Sequence, residues 1–138
     1  MENDEHRRIW EAWHKASRER DQEALLALYA EDAVLEAPLI PKVMKQAAGL
    51  VYGRDGIRAF LNQAREAGVM PNDPCVRMRW WREEHFFSAG GTLIWEYPRS
   101  TPEGDQMDIV EVMVIVDGLI AHHKVYWGWR LTTVLSEA

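Results

Sequence analysis

Glu111 and His123 are the two side chains whose types and spacing could carry proton transfer. They flank the middle of the stretch 108–130, DIVEVMVIVDGLIAHHKVYWGWR. Glu111 stands among apolar residues, where a carboxylate is costly to bury unless it is paired. A carboxylate beside an imidazole fixes the tautomer of the ring, and the two groups together could act as general acid and base. The structural alternatives are a His123 that only fills a pocket and an ion pair of Glu111 with Arg77, Arg79 or Lys124.

A hairpin centred on Asp117-Gly118 must bring these two side chains together. Runs of β-branched and aromatic residues flank this dipeptide, which is a strong hairpin signal. A three-residue loop, with Gly118 as a bulge of positive φ, sets Glu111 opposite His123, and Asp-Gly suits its second and third positions. A two-residue loop moves the register by one residue and sets Lys124 opposite Glu111. We favour the three-residue loop, and the site hypothesis depends on that choice.

The remaining elements predict an α+β fold, because helices come first and antiparallel strands follow. Apolar stripes of helical period predict three helices, over residues 5–20, 21–32 and 57–67. Asp21 and Asp55 are expected to cap the second and third helices, and Gly68 to end the third. Residues 39–52 read as an irregular loop. Strands are predicted at residues 33–38, 75–87 and 92–97 and in the two arms of the hairpin.

The composition indicates one soluble domain spanning residues 1–138. The chain is 47% hydrophobic and 28% charged, with seven Trp residues available for a core or an apolar pocket. A net charge of −6 without a basic run argues against nucleic-acid binding. The single Cys75 excludes an internal disulfide, and a cytoplasmic location is expected. The charged start MENDEHRRIW and the lack of a long apolar run predict neither a signal peptide nor a membrane span.

Three segments together resemble nuclear transport factor 2-like proteins: LYAEDAVLEAP at 28–38, YGRDGIRAFL at 52–61 and IVDGLIAHHKVYWG at 115–128. Within that superfamily the chain is most similar to SnoaL-like polyketide cyclases and ketosteroid isomerase-like proteins, and the likeness covers nearly all of it. The resemblance implies a cone, in which a strongly bent antiparallel sheet wraps around three N-terminal helices and encloses an internal pocket. It also implies a homodimer, since many members are dimers.

The resemblance carries over only some of the family's functional residues. Ketosteroid isomerases have a general-base Asp where this chain has Ala37, an oxyanion-binding Tyr where it has Trp13, and a second acid that Glu111 matches. SnoaL-like cyclases have a His in the last strand that His123 matches, but Val125 stands in place of their acid/base Asp. Epoxide hydrolases of this superfamily use an Asp-Arg-Asp set, and the matching positions here are Thr92, Ile94 and Val125.

These observations predict an acid/base enzyme of the isomerase, cyclase or dehydratase type, without a metal or cofactor, acting on a small hydrophobic carbonyl compound. Glu111 and His123 are the expected catalytic residues. The expected substrate-binding residues are Trp13, Tyr29, Asp32, Phe60, Met113 and Trp127. The outer face of the hairpin, apolar at its centre, is the expected dimer interface. The alternatives are a non-catalytic binding domain, favoured by Ala37 and Val125, and a protein-interaction domain.

Overall fold

The structure is a computed structural model that describes residues 3–68, 85–97 and 108–137. The helices in these ranges are α1 (Asp4–Glu19), α2 (Gln22–Leu26), α3 (Ile40–Met44), α4 (Gly53–Glu66) and α5 (Arg130–Glu137). The strands are β1 (Tyr29–Glu36), β2 (Leu50–Tyr52), β3 (Phe87–Ala89), β4 (Thr92–Tyr97), β5 (Ile109–Val116) and β6 (Leu119–Trp127). Most of the strand predicted at 75–87 lies outside the described residues.

The six strands form one curved, unclosed sheet in the order β2-β1-β6-β5-β4-β3. This arrangement confirms the α+β class with helices on a bent sheet. Neighbouring strands run antiparallel except β1 and β6, which pair in parallel. The expectation of a wholly antiparallel sheet is therefore corrected at this pair. A parallel pair needs a long crossover, and the rest of the chain between β1 and β6 supplies it.

Helix α1 covers the inward face of the sheet. Asn3 caps it, since its side chain accepts a hydrogen bond from the backbone N–H of His6 at 3.0 Å. The predicted apolar stripe is buried as expected, and its members are Ile9, Trp10, Trp13 and Ala16. The Trp13 ring meets the rings of Tyr29, Trp95 and His123 at centroid distances of 6.0, 6.0 and 5.2 Å. The helix thus presses its aromatic stripe onto three different strands.

The second predicted helix is too long. Asp21 does cap α2, accepting from the backbone N–H of Ala24 at 3.0 Å, but the helix ends at Leu26. Tyr29 already begins β1, which pairs with β6. The backbone N–H of Ile120 in β6 also binds the carbonyl of Leu28 at 2.8 Å. Pairing with a distant strand here overrides the local helix preference.

Other boundaries also differ from the sequence prediction. Within residues 39–52, expected to be irregular, the chain forms α3 and β2. Helix α4 begins at Gly53 rather than Ile57, so Asp55 lies in its first turn and Tyr52 is the N-cap residue. Helix α5 was not predicted. In the described part of the chain, no helix is long and apolar enough to cross a membrane.

The hairpin turn has two residues, so the predicted three-residue loop is wrong. Val116 pairs directly with Leu119, and the two turn residues have positive φ, 52° at Asp117 and 76° at Gly118. Positive φ at both central positions defines the type I′ turn, which Asp-Gly favours and whose twist matches that of the strands. The dipeptide therefore marks the turn correctly, while its position within the loop differs by one residue.

The register beyond the turn also differs from both sequence alternatives. Between the pairs Ile115–Ile120 and Val114–His122, strand β6 contains one extra residue, Ala121, which forms a bulge. Glu111 consequently lies opposite Val125, and neither His123 nor Lys124 faces it directly. His123 instead lies opposite Met113, two residues along β5 from Glu111. Since residues two apart share a strand face, Glu111 and His123 still point to the same side of the sheet.

Candidate active site

Glu111 projects from the middle of β5 onto the covered face of the sheet. Its neighbours across the ladder are Trp95 on β4 and Val125 on β6. The residue is only 7% exposed, although it is a carboxylate among apolar side chains. Its Oε2 is hydrogen-bonded to Nε2 of His123, which is itself 2% exposed. Burial of the acid is thus compensated by a partner on the neighbouring strand.

Tyr29 extends this pair into a chain of three buried groups. Its hydroxyl lies 2.7 Å from Nδ1 of His123, although the two residues are 94 positions apart. Burial raises the pKa of Tyr29 well above 10, and the nearby charge of Glu111 adds to this shift. The hydroxyl therefore keeps its proton and donates it to Nδ1. When the His123 ring is neutral, Nδ1 accepts from Tyr29 and the ring proton lies on Nε2, which donates it to Glu111.

The backbone around Tyr29 is held from two sides, which positions the phenol. The Arg54 side chain in α4 donates through Nε to the carbonyl of Tyr29 at 2.8 Å. The N–H of Ile120 binds the preceding carbonyl, as described above. In the ladder between β1 and β6, Tyr29 pairs with Ile120, and the next pair is Val34 with His122. The four residues between them, 30–33, form an irregular part of β1. Strand β1 therefore pairs with β6 in one register at Tyr29 and in another from Val34 onward.

A second buried chain lies behind the first and joins α1 to β4. His14 is 2% exposed; its Nδ1 lies 2.7 Å from the carbonyl of Trp10, and its Nε2 lies 3.2 Å from the hydroxyl of Tyr97. Because a carbonyl only accepts, Nδ1 carries the ring proton and Nε2 accepts from Tyr97. Burial lowers the pKa of His14, so the ring is neutral. Burial, followed by the charge of Glu111, raises the pKa of Tyr97 well above 10.

A cavity of about 240 Å³ opens beside the first chain. Glu111, His123 and Tyr29 all line it. The rest of the wall is mainly apolar, and it includes Leu25, Leu35, Leu39, Leu61, Ile109 and Val125. The polar residues of the wall lie at the end of α1, the start of α2 and the end of α4, and they are Ser17, Arg20, Asp21, Gln22 and Arg65. An apolar pocket with a few convergent polar groups is the usual form of a small-molecule site.

Comparison with known proteins identifies the family. The pattern of the SnoaL-like domain family matches residues 10–123. The chain belongs to the SnoaL-like family. That membership agrees with the resemblance to nuclear transport factor 2-like proteins drawn from the sequence. None of the curated proteins searched matches the chain.

Solved structures share the fold at low sequence identity. A SnoaL-like protein of unknown function from Burkholderia thailandensis superposes with a TM-score of 0.68 at 16% identity, over 92% of this chain and 97% of that one. TerC, co-crystallized with polyporic acid, gives 0.67 at 18%, over 97% and 99%. A putative ketosteroid isomerase from Kribbella flavida gives 0.55 at 15%, over 91% and 78%. At these identities the likeness shows the fold alone.

The SnoaL-like cavity brings most of the predicted site residues together. Besides Glu111 and His123, the aromatic residues Trp13, Tyr29, Phe60 and Trp127 line it. Asp32 does not, because it is exposed in the irregular part of β1. Met113 is fully buried opposite His123 on the neighbouring strand and is not among the residues that line the cavity.

Ala37 and Val125, where related enzymes carry acids, both line the cavity with apolar side chains. Among the described residues that line the cavity, the carboxylates are therefore Glu111 and Asp21. Among the described residues, no group of three or more His, Cys, Asp or Glu side chains is arranged to hold a metal ion.

Sequence reasoning missed the second chain and the orienting contact of Tyr29. His14 lies one helical turn after Trp10 on the buried stripe of α1, and Tyr97 shares a strand face with the buried Trp95. These spacings could have indicated that both polar rings point inward. The sequence offered no sign that Tyr29 meets His123, because that contact depends on the parallel pairing of β1 and β6.

Proposed function

We propose that this SnoaL-like protein is an acid/base enzyme that uses its own side chains to move a proton on a small hydrophobic carbonyl compound. The observation that carries the proposal is the buried chain Tyr29–His123–Glu111 at the wall of an apolar cavity. Isomerisation, cyclisation and dehydration at a carbonyl all need such a base in a pocket shielded from water. The cavity volume of about 240 Å³ lies just below the usual range for drug-sized ligands and suits a molecule of one or two rings.

The hydrogen bonds support different roles for the three side chains in the proposed reaction. Both ring nitrogens of His123 are engaged, so the imidazole holds Glu111 rather than meeting a substrate itself. Among the described residues no hydrogen bond reaches Oε1 of Glu111, and this oxygen is the candidate base. It would take the proton from the carbon beside the substrate carbonyl as the electron pair moves into an enolate. Return of the proton to another carbon completes an isomerisation without any change of oxidation state.

Proton exchange tests this role without knowledge of the natural substrate. We expect the protein to accelerate the exchange of the α-protons of 2-tetralone in D₂O, followed by proton NMR. Glu111→Gln keeps the size of the side chain but removes the base, and should slow exchange by about 10²–10⁴-fold. Glu36→Gln is the matched control, because Glu36 makes the same bond to His122 at a half-exposed position. Wild-type exchange no faster than buffer, or full activity in Glu111→Gln, would contradict the proposal.

The second candidate is a non-catalytic small-molecule-binding domain of the same fold. The apolar Ala37 and Val125 in the cavity wall favour it, because related enzymes place acids there. This function predicts that 2-tetralone binds equally well to the wild type and to a Glu111→Gln, His123→Gln double variant. It also predicts no α-proton exchange above the buffer rate. Calorimetric titration of both proteins with 2-tetralone separates the two candidates.

The same proposal includes a homodimer and a cytoplasmic location. The outer sheet face exposes Val114, Val116 and Tyr126 at 38%, 51% and 54%, beside half-buried Val110 and Val112. Exposed apolar side chains on an outer sheet face support an interface between copies, and Lys124 and His122 lie beside them, opposite Val112 and Val114. A protein-interaction domain that uses this face with another partner is the alternative. A single Cys in 138 residues supports a reducing compartment.

A further inference from the structure

The cavity has different chemistry at its two ends. One face of α1 lines it with Trp13, Ala16 and Ser17, and Arg20, the C-cap residue of the helix, lies three to four residues further on. Trp13 contacts the ring of His123, whereas Arg20 is exposed at the end of the helix. Seven residues of helix correspond to a rise of about 10 Å. The cavity thus runs along the last two turns of α1, from the buried acid to a mouth that carries a cation.

Helix α4 also lines the cavity, and its lining residues likewise change from buried apolar side chains to an exposed arginine. Phe60 and Ala64 are buried in the wall, and Arg65 is exposed at the mouth. The Arg65 guanidinium donates to the side-chain oxygen of Gln22, whose amide nitrogen in turn donates to Asn62 at 2.9 Å. Gln22 is neutral, so this contact orients the guanidinium, and Arg65 forms no ion pair with the residues that the structure describes.

The mouth of the cavity carries a positively charged residue, Arg65, although the whole chain has a net charge of −6. Arg65, Arg20 and Asp21 are the charged residues that line this end of the cavity in the described part of the chain. Asp21 is engaged as the cap of α2, and the neighbouring Glu23 is paired with Arg58 at 3.0 Å. The single guanidinium of Arg65 suits a monoanion better than a dianion. The planar fork of a guanidinium matches the two oxygens of a carboxylate.

We propose that the ligand of this cavity is a small amphiphilic carboxylic acid that binds with its carboxylate at Arg65. The apolar body fills the cavity, because the wall between the two ends is apolar. The opposite orientation would bring the carboxylate to Glu111, where two negative charges would repel each other. This inference rests on the proposed function only in placing the reacting carbonyl at the Glu111 end.

A pair of probes that differ only in charge tests the proposal. We expect the protein to bind 2-naphthylacetate about fivefold more tightly than 2-naphthylacetamide at low ionic strength, measured by isothermal titration calorimetry. Raising the salt concentration should reduce this preference, because the arginine is exposed. In Arg65→Gln the preference should disappear, with little change in the affinity for the neutral amide.

Arg58→Gln is the matched control for this experiment. It removes the same charge from the same helix, but Arg58 pairs with Glu23 and Asp55 and does not line the cavity. The control should keep the preference for the carboxylate. Equal affinity of the wild type for the two probes, no measurable binding of the carboxylate, or an intact preference in Arg65→Gln would overturn the proposal.

Failure of this proposal is distinguishable from failure of the acid/base function. A carboxylate preference lost in Arg65→Gln, together with full α-proton exchange in Glu111→Gln, would uphold the ligand class and refute the base. Exchange lost in Glu111→Gln, together with equal binding of the two naphthyl probes, would uphold the base and refute the carboxylate anchor at Arg65.

Discussion

Replacement of Tyr29 by Phe removes one oxygen atom from one end of the buried chain. Tyr29 and His123 are each 2% exposed, and the hydroxyl of Tyr29 lies 2.7 Å from Nδ1 of His123. The ring itself can keep its contacts with Trp13 and His123 at centroid distances of 6.0 and 5.9 Å. The variant therefore isolates the hydroxyl, and it leaves Nδ1 of His123 as a buried acceptor without its donor.

The expected loss follows from that unpaired acceptor. A buried polar group that loses its partner destabilises the fold by about 1–3 kcal/mol. For a domain of this size, each kcal/mol lowers Tm by about 2–4 °C, which predicts a decrease of about 2–12 °C. Urea unfolding followed by circular dichroism should show a lower midpoint with an unchanged slope, because the exposed area on unfolding is the same.

Tyr52→Phe provides the control, since Tyr52 is 68% exposed and a surface change of this kind stays within about 0.5 kcal/mol. Nitrogen–proton correlation spectra of the labelled imidazole add a second measurement. In the wild type they should show the His123 proton on Nε2, and in Tyr29→Phe the two tautomers should become mixed. A Tyr29→Phe protein as stable as Tyr52→Phe, with an unchanged tautomer, would refute the assigned hydrogen-bond chain.

Two further predictions concern the rest of the molecule. Burial lowers the pKa of His14 below its usual value of 6.5, so the unfolded state binds the proton more tightly than the folded state. The free energy of unfolding should therefore fall as the pH drops below about 6.5, and it should fall less steeply in His14→Gln. Urea unfolding between pH 5 and 7.5 measures both. An identical pH dependence in the variant would contradict this assignment. Val114→Lys places a charge in the apolar outer face and should convert a dimer to a monomer in sedimentation velocity; a monomeric wild type at tens of micromolar would refute the dimer.

The amino-acid sequence determines the local parts of this protein. The stripe of α1, the cap at Asp21, the strand 92–97 and the Asp117-Gly118 turn all follow from periodicity and turn chemistry, and the structure contains each of them. The α+β class also follows from the sequence, because the predicted helices come first along the chain and the predicted strands follow them. The assignment of Glu111 to a covered strand face follows from its apolar neighbours on both sides.

Only the tertiary structure decided how the site is assembled. The turn has one residue fewer than predicted, and β6 has one bulged residue, Ala121. Each difference shifts the pairing of β5 with β6 by one residue. The total shift of two residues leaves each side chain on the sheet face on which it was predicted. Glu111 and His123 therefore share a face for a different reason from the one the sequence suggested. The position of a bulge depends on how the whole strand pairs with its neighbours, and the alanine at position 121 does not indicate a bulge from the sequence alone.

The contact that completes the chain is the least visible in the sequence. Local preference continues the second helix through Tyr29, yet pairing with β6 draws that residue into a strand and onto His123. The cationic mouth likewise joins the ends of α1 and α4, which are far apart in the sequence. Local propensities are worth tenths of a kcal/mol per residue, roughly, whereas strand pairing and burial act between distant segments. The sequence thus determined the candidate acid and its covered strand, and tertiary pairing decided which groups hold it.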